Sequence, residues 1–250
     1  MIIPDGHIES IFNYCTRRCE RCAFTSRCTL FQSEREYERQ HPDATWKERL
    51  HDSFVETFRL LEEWCRREGV DFDEIRRAAE NDETDTELER ASQALNADPL
   101  QKLATAYVHA AFSLVDAMTP ARAMRQWSPD VEEALDTISW NAGMIGAKVH
   151  RALHGLAERD AFVEEDPVQN DWNGSAKLAR ILVSESKSAW QTVLREGEAP
   201  EHSPLLEVVG LLDRIDAGIS ARFPDAMQFV RPGFDDGAVA AELASEQVRK

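Results

Sequence analysis

Four of the five cysteines sit together near the start of the chain: Cys15, Cys19, Cys22 and Cys28, spaced C-x3-C-x2-C-x5-C. Thiolates are strong metal ligands, and four at such close spacing repel one another unless a cation lies among them. Disulfides are the competing chemistry, and they belong mainly to exported chains. The opening run Met1-Ile2-Ile3-Pro4-Asp5-Gly6 has neither the basic nor the apolar region of a secretion signal. The expectation is therefore a cytoplasmic protein with a four-cysteine metal site. Cys15, Cys19 and Cys22 stand at i, i+4 and i+7, so a helix there would present three sulfurs on one face. Cys28 would fold back from the polar segment Thr25-Ser26-Arg27.

All four ligands come from one compact loop. That arrangement favours an iron–sulfur centre, expected as a [4Fe-4S] cluster. Zinc is the alternative, although structural zinc sites commonly use two knuckles separated by a longer linker. The run from Cys19 through Cys22-Ala23-Phe24 to Cys28 resembles the iron–sulfur clasp of RecB-type nucleases, C-x2-C-x-F-x3-C. The resemblance ends at these residues and implies a cluster without nuclease chemistry, because the strands and acidic motifs of such a nuclease are missing. Cys15, Cys19 and Cys22 also resemble the C-x3-C-x2-C signature of radical SAM enzymes. Those enzymes leave one iron open and place the loop on a β/α barrel. Here Cys28 can close the cluster, and no strand–helix alternation follows.

Arg17, Arg18, Arg21 and Arg27 interleave with the cysteines, against Asp5, Glu9 and Glu20 in the same segment. They are expected to neutralise thiolates and pair with the acidic body; tuning the centre or docking an acidic partner is the other reading. The body is indeed acidic. The chain has 250 residues, 42% hydrophobic and 30% charged, with a net charge of -17. That charge opposes phosphate backbones and anionic membrane surfaces, so neither nucleic acid nor a membrane is expected as a partner. A protein or redox partner remains, and no apolar run approaches a membrane span.

Helical patterning supplies the frame that must position the site. Thr45-Trp46-Lys47-Glu48 is a capping box, followed by an apolar face of Trp46, Leu50, Phe54, Phe58, Leu61 and Cys65, with Gly69 as the stop. Six acidic residues between Glu80 and Arg90 read as a solvated connection, with a short helix opening at Thr86. Asp98-Pro99, Ser128-Pro129 and Ser203-Pro204 each place a cap before Pro at the first helical position. The first of these helices is expected to close at Thr119-Pro120, and another helix begins near Ser175. The segment Phe229 to Phe234 reads as a loop over one end. The fold expected is all-α, an antiparallel helical bundle carrying a short N-terminal four-cysteine module. Residues 1–33 form the module, 34–235 the bundle and 236–250 a tail or short terminal helix.

A second set of polar residues falls on helical stripes. Glu185 projects among Leu178, Ile181, Leu182 and Ala189, where a carboxylate needs a partner, a proton or a metal. His109 and Asp116 share a stripe, and His150 and His154 stand at i, i+4, a spacing that lets two imidazoles reach one ion. Simple exposure to solvent is the bland reading of these faces. No nucleophile elbow, phosphate loop or dinucleotide fingerprint is present. The function expected is a metal-binding helical protein with a redox, sensing or partner-binding role. The alternative is an enzyme with a second polar or metal site, around His109, Asp116, His150, His154 and Glu185, to which the cysteines are accessory.

Overall fold

The structure is a computed structural model that describes residues 6–79, 82–124, 127–159, 166–196 and 203–235. Among the described residues it is all-helical and contains no strand. Eight α-helices follow one another among the described residues: α1 Thr29–Gln40, α2 Trp46–Glu68, α3 Phe72–Ala79, α4 Asp82–Ala97, α5 Pro99–Met124, α6 Pro129–Ala157, α7 Asp171–Glu196 and α8 Ser203–Arg222.

Local chemistry explains several of these boundaries. The Thr45 hydroxyl accepts from the Glu48 amide at 3.3 Å and the Glu48 carboxylate accepts from the Thr45 amide at 2.7 Å, which closes the capping box of α2. Gly69 ends the helix at φ 72°, a left-handed conformation that costs glycine little. Asp98 accepts from the Leu100 amide and Ser128 from the Val131 amide, each beside a proline at the first helical position.

Helices α5 to α8 form a closed up–down–up–down ring, in which α6 packs on α5 and α7, and α8 on α5 and α7. The antiparallel sense is fixed by side chains. Ser128 at the head of α6 meets Glu196 at the foot of α7 (3.2 Å), and Gly155 near the foot of α6 packs on Trp172 near the head of α7. Arg180 pairs with Asp216 (2.8 Å), and Lys187 with Asp213, along α7 and α8. Leu100 and Gly218 bring the start of α5 against the end of α8. The core between them includes Leu135, Ile138, Ile145, Leu178, Leu182, Leu212 and Ile215, together with Tyr107 and Trp190. The indole nitrogen of Trp190 donates to the Tyr107 hydroxyl at 3.3 Å, which satisfies a polar atom that burial would otherwise strand.

Three features depart from the patterning. The acidic stretch is helical from Asp82, not a solvated connection with a helix from Thr86; acidic residues in a first turn are favoured by the helix dipole. Helix α5 runs through Pro120 to Met124 rather than closing at Thr119, because an internal proline removes one amide bond without forbidding the rest. The apolar face of α2 is also uncovered: Trp46 is 69% exposed, Phe54 57% and Phe58 59%, while Cys65 alone is buried. Among the described residues the main packing partner of α2 is α3, which in turn packs on α4. The expected tail, residues 236–250, lies outside the described residues.

Candidate metal centre

The segment before α1 is built from short 3-10 turns at Ile11–Asn13, Cys19–Arg21 and Thr25–Arg27. The expected helical face of Cys15, Cys19 and Cys22 is not formed. Arg17 has φ 57°, a left-handed conformation that no α-helix continues through, and it separates Cys15 from Cys19. A non-glycine residue is held there only where surrounding contacts over-determine it.

Those contacts are numerous. Tyr14 lies in the notch left by Gly174 of α7, packs on Phe229 with the rings tilted by 55° and their centres 4.7 Å apart, and donates to Asp171 at 2.9 Å. Asp171 is held in turn by a two-bond pair with Arg151 of α6. Lys148 of α6 donates to the Asn13 carbonyl at 2.7 Å, and the Trp140 indole donates to the Thr16 carbonyl at 2.8 Å. Ile11 is buried against Gly233, and Phe24 meets Phe234 edge-on at 5.0 Å. The segment Phe229 to Phe234 thus serves as a loop that clamps the cysteine segment to the bundle.

Held this way, Cys15, Cys19, Cys22 and Cys28 all line one cavity of about 400 Å3. All four are half-buried, and none of the five cysteines is in a disulfide. The Phe24 amide donates to the Cys22 sulfur at 3.4 Å, a bond that stabilises negative charge on sulfur. The Cys15 thiol donates to the Phe12 carbonyl at 3.6 Å. Burial raises the Cys15 thiol above its ordinary value; the backbone amide and guanidinium of Arg17 oppose the shift, while Cys22 and Cys28 add to it. Cys19 is raised by burial, with Arg17 opposing, and with Cys15, Glu34 and Cys22 adding to the rise. The thiols therefore sense one another across the cavity, and a bound cation would relieve the repulsion. Among the described residues no three His, Cys, Asp or Glu side chains are grouped to hold a single metal ion.

Three of the interleaved arginines, Arg17, Arg18 and Arg21, line the cavity and are engaged with acceptors of the fold. Arg17 pairs with Glu34 at 3.0 Å and Arg21 with Glu133 at 2.6 Å. Arg18 donates to the Asp136 carbonyl at 3.0 Å and lies over the Trp140 ring. Arg27 donates to the Gly6 carbonyl at 2.9 Å and so closes the loop from behind. Pairing with the acidic body is what these contacts display.

The bundle contributes Thr137 and Asn141 of α6 and Glu185 of α7 to the lining of the cavity. Asn141 is 1% exposed and donates to the Leu182 carbonyl at 3.4 Å and to the Glu185 carboxylate at 3.1 Å. Glu185 lines the cavity too, but it is exposed rather than buried on the apolar stripe. It falls on the solvent side of α7 beside Ser184, so its carboxylate needs no buried partner; among the described residues no histidine lines this cavity. His109 and Asp116 are exposed on α5, and His150 is half-buried on α6. His154 is exposed and faces Glu158 at 3.1 Å. Asn141 escaped the sequence reading, although an amide between Ile138, Ala142 and Ile145 on one stripe was a usable signal. Tyr14, Lys148 and Trp140 carried no such signal, because their partners are backbone carbonyls and residues distant in sequence. Comparisons with protein-family models, with curated proteins and with solved structures give no match, so the site is read from its own chemistry.

Proposed function

We propose that Cys15, Cys19, Cys22 and Cys28 hold one iron–sulfur centre of the [4Fe-4S] type, and that the chain is a cytoplasmic helical metalloprotein working in electron transfer or redox sensing with a protein redox partner. One observation carries the reading: four thiols from an irregular segment line a single cavity. Such a centre supplies one-electron chemistry, and the residues around it control charge and solvent access. The Phe24 amide at Cys22 and the arginines beside the thiols are the kind of surroundings an anionic centre needs.

The single compact loop that carries all four thiols favours a cluster over zinc, whose structural sites commonly use two knuckles set apart by a longer linker. With zinc the role would be structural and would serve partner binding. The acidic charge keeps nucleic acid and anionic membranes out of the reading, and among the described residues no helix is long and apolar enough to cross a membrane.

Anaerobic purification followed by metal and sulfide analysis tests the reading. About four iron and four sulfide per chain are expected, with loss of both in the Cys15→Ser/Cys22→Ser double variant. A second reading, an enzyme with the cysteines accessory, is favoured by the Asn141–Glu185 pair on the cavity wall. It predicts that Glu185→Gln keeps the metal while abolishing turnover of a substrate.

A further inference from the structure

The bare apolar face of α2 reads the same from either end. Trp46, Leu50, Phe54, Phe58, Leu61 and Trp64 run Trp–Leu–Phe–Phe–Leu–Trp at spacings of 4, 4, 4, 3 and 3, so they recur along one side of the helix. Leu50 is 49% exposed, Leu61 37% and Trp64 44%, beside the more exposed Trp46, Phe54 and Phe58. Cys65, on the same side, is buried within the copy and takes no part.

The area of this face matches what a stable pair needs. The rings of Trp46, Phe54, Phe58 and Trp64 are 44% to 69% exposed, and at about 150–250 Å2 a ring they present about 450 Å2. Leu50 and Leu61 bring the total to roughly 600 Å2 a copy, the upper end of what a monomer leaves bare. Two such faces laid together bury roughly 1,200 Å2, above the about 1,000 Å2 expected of a specific interface. Charge points to the same occupant. Copies of a chain with net charge -17 repel over most of their surface. Helix α2 is nearly neutral, with five basic side chains against six acidic ones, and Arg59 is paired with Glu56 and Glu63, and Arg66 with Glu62. A helix lying on lipid would instead carry a polar face rich in Lys and Arg.

We propose that α2 pairs with α2 of a second copy of this chain, antiparallel across a twofold axis near Glu56. Phe54 of one copy then lies against Phe58 of the other, Leu50 against Leu61 and Trp46 against Trp64. A twofold interface uses the same patch on both copies, so it must be complementary to itself. The palindromic order meets that demand in the antiparallel sense, because every apolar residue is set against one of its own kind. A different partner protein would place no such symmetry on this helix. The pairing uses no residue of the cysteine segment and is independent of whether that segment binds metal.

The test mixes two variants of the full-length chain. Phe54→Lys and Phe58→Glu each place a charge inside the pair. Within one copy both positions are exposed, so the dilute monomer folds and unfolds as wild type does. Circular dichroism checks the fold, and sedimentation velocity across a dilution series reads the mass. Wild type is expected at twice the mass of one chain. Each variant alone is expected to weaken the pair at least about thirtyfold, as loss of a central aromatic anchor does. An equimolar mixture of the two is expected to recover the dimer. Antiparallel pairing sets the new ammonium group of one copy against the new carboxylate of the other, while the remaining Phe58 and Phe54 still meet across the axis. Parallel pairing would leave both charges facing phenylalanine, so dimers lost in the single variants and not recovered on mixing overturn the proposal. A wild type that stays monomeric at high micromolar concentration overturns it as well. So does a dimer that neither variant weakens, or a monomer that binds phosphatidylcholine vesicles through this face instead.

Discussion

Tyr14 occupies the space that Gly174 leaves open in α7: a Cβ at position 174 would stand 2.4 Å from the Tyr14 ring and 2.8 Å from Phe229. The cysteine segment is therefore docked on the bundle through a contact that only glycine permits. Gly174→Ala gains helix propensity of about 1 kcal/mol, but overpacking costs about 1–3 kcal/mol. Because two rigid rings are involved, overpacking wins. Urea denaturation is expected to show a modest net loss, and limited proteolysis an early cut before α1. Unchanged proteolysis would show that the segment docks by other means.

Lys148 anchors the same segment from α6. Its ammonium group donates to the Asn13 carbonyl, and burial lowers its basicity, reinforced by Arg151 and opposed by Asp171 and Cys15. Lys148→Met keeps the apolar stem and removes the bond, for an expected loss of about 1–2 kcal/mol. Thermal unfolding of the two proteins measures it.

The clamping loop responds to acid. Asp235 is raised by burial, but bonds from Arg231 and Lys177 outweigh this and hold its carboxyl well below the ordinary 3.8. A depressed acid contributes stability that is full above its unfolded value and is lost as pH falls toward the folded one. Asp235→Asn is thus expected to be less stable than wild type by about 2 kcal/mol at pH 7, with the gap narrowing below pH 3.8. A gap independent of pH would contradict the ion-pair account.

Helix α2 should tolerate what a core helix would not. Phe54 and Phe58 are more than half exposed, so Phe54→Ser and Phe58→Ser are expected to change stability by less than about 0.5 kcal/mol each. Cys65, at 1% exposure, is expected to cost more when replaced by Asp, because a buried charge finds no partner. Chemical denaturation of the three variants checks the contrast.

What the sequence disclosed follows from where each signal resides. Caps at Thr45, Asp98 and Ser128 are local hydrogen bonds, so they are readable without the fold. The apolar stripes of α6, α7 and α8 were readable because both packing partners are amphipathic at the same period. The stripe of α2 misled, since periodicity states that a face is apolar and not that anything covers it. The cysteine spacing announced that the four thiols lie near one another, yet their geometry comes from Arg17 in a left-handed turn and from tertiary bonds to Thr16 and Asn13. None of those is encoded in a window of neighbouring residues. Asn141 and Glu185 meet only because α6 and α7 run antiparallel.

Removing the proposed metal centre should separate the two parts of the molecule. Chelation is expected to leave far-ultraviolet helicity nearly unchanged, because the ring of α5 to α8 has its own core, while proteolytic protection of the segment around the cysteines is lost. Collapse of the whole helical signal would mean that the centre supports the bundle itself.

The most direct test is the absorption spectrum and metal content of protein purified without oxygen. The account predicts a brown protein with a broad band that bleaches on reduction, about four iron atoms per chain, and loss of both when Cys15 and Cys22 become serine. Folded wild-type protein that is colourless, metal-free and carries four titratable thiols at these positions would contradict it.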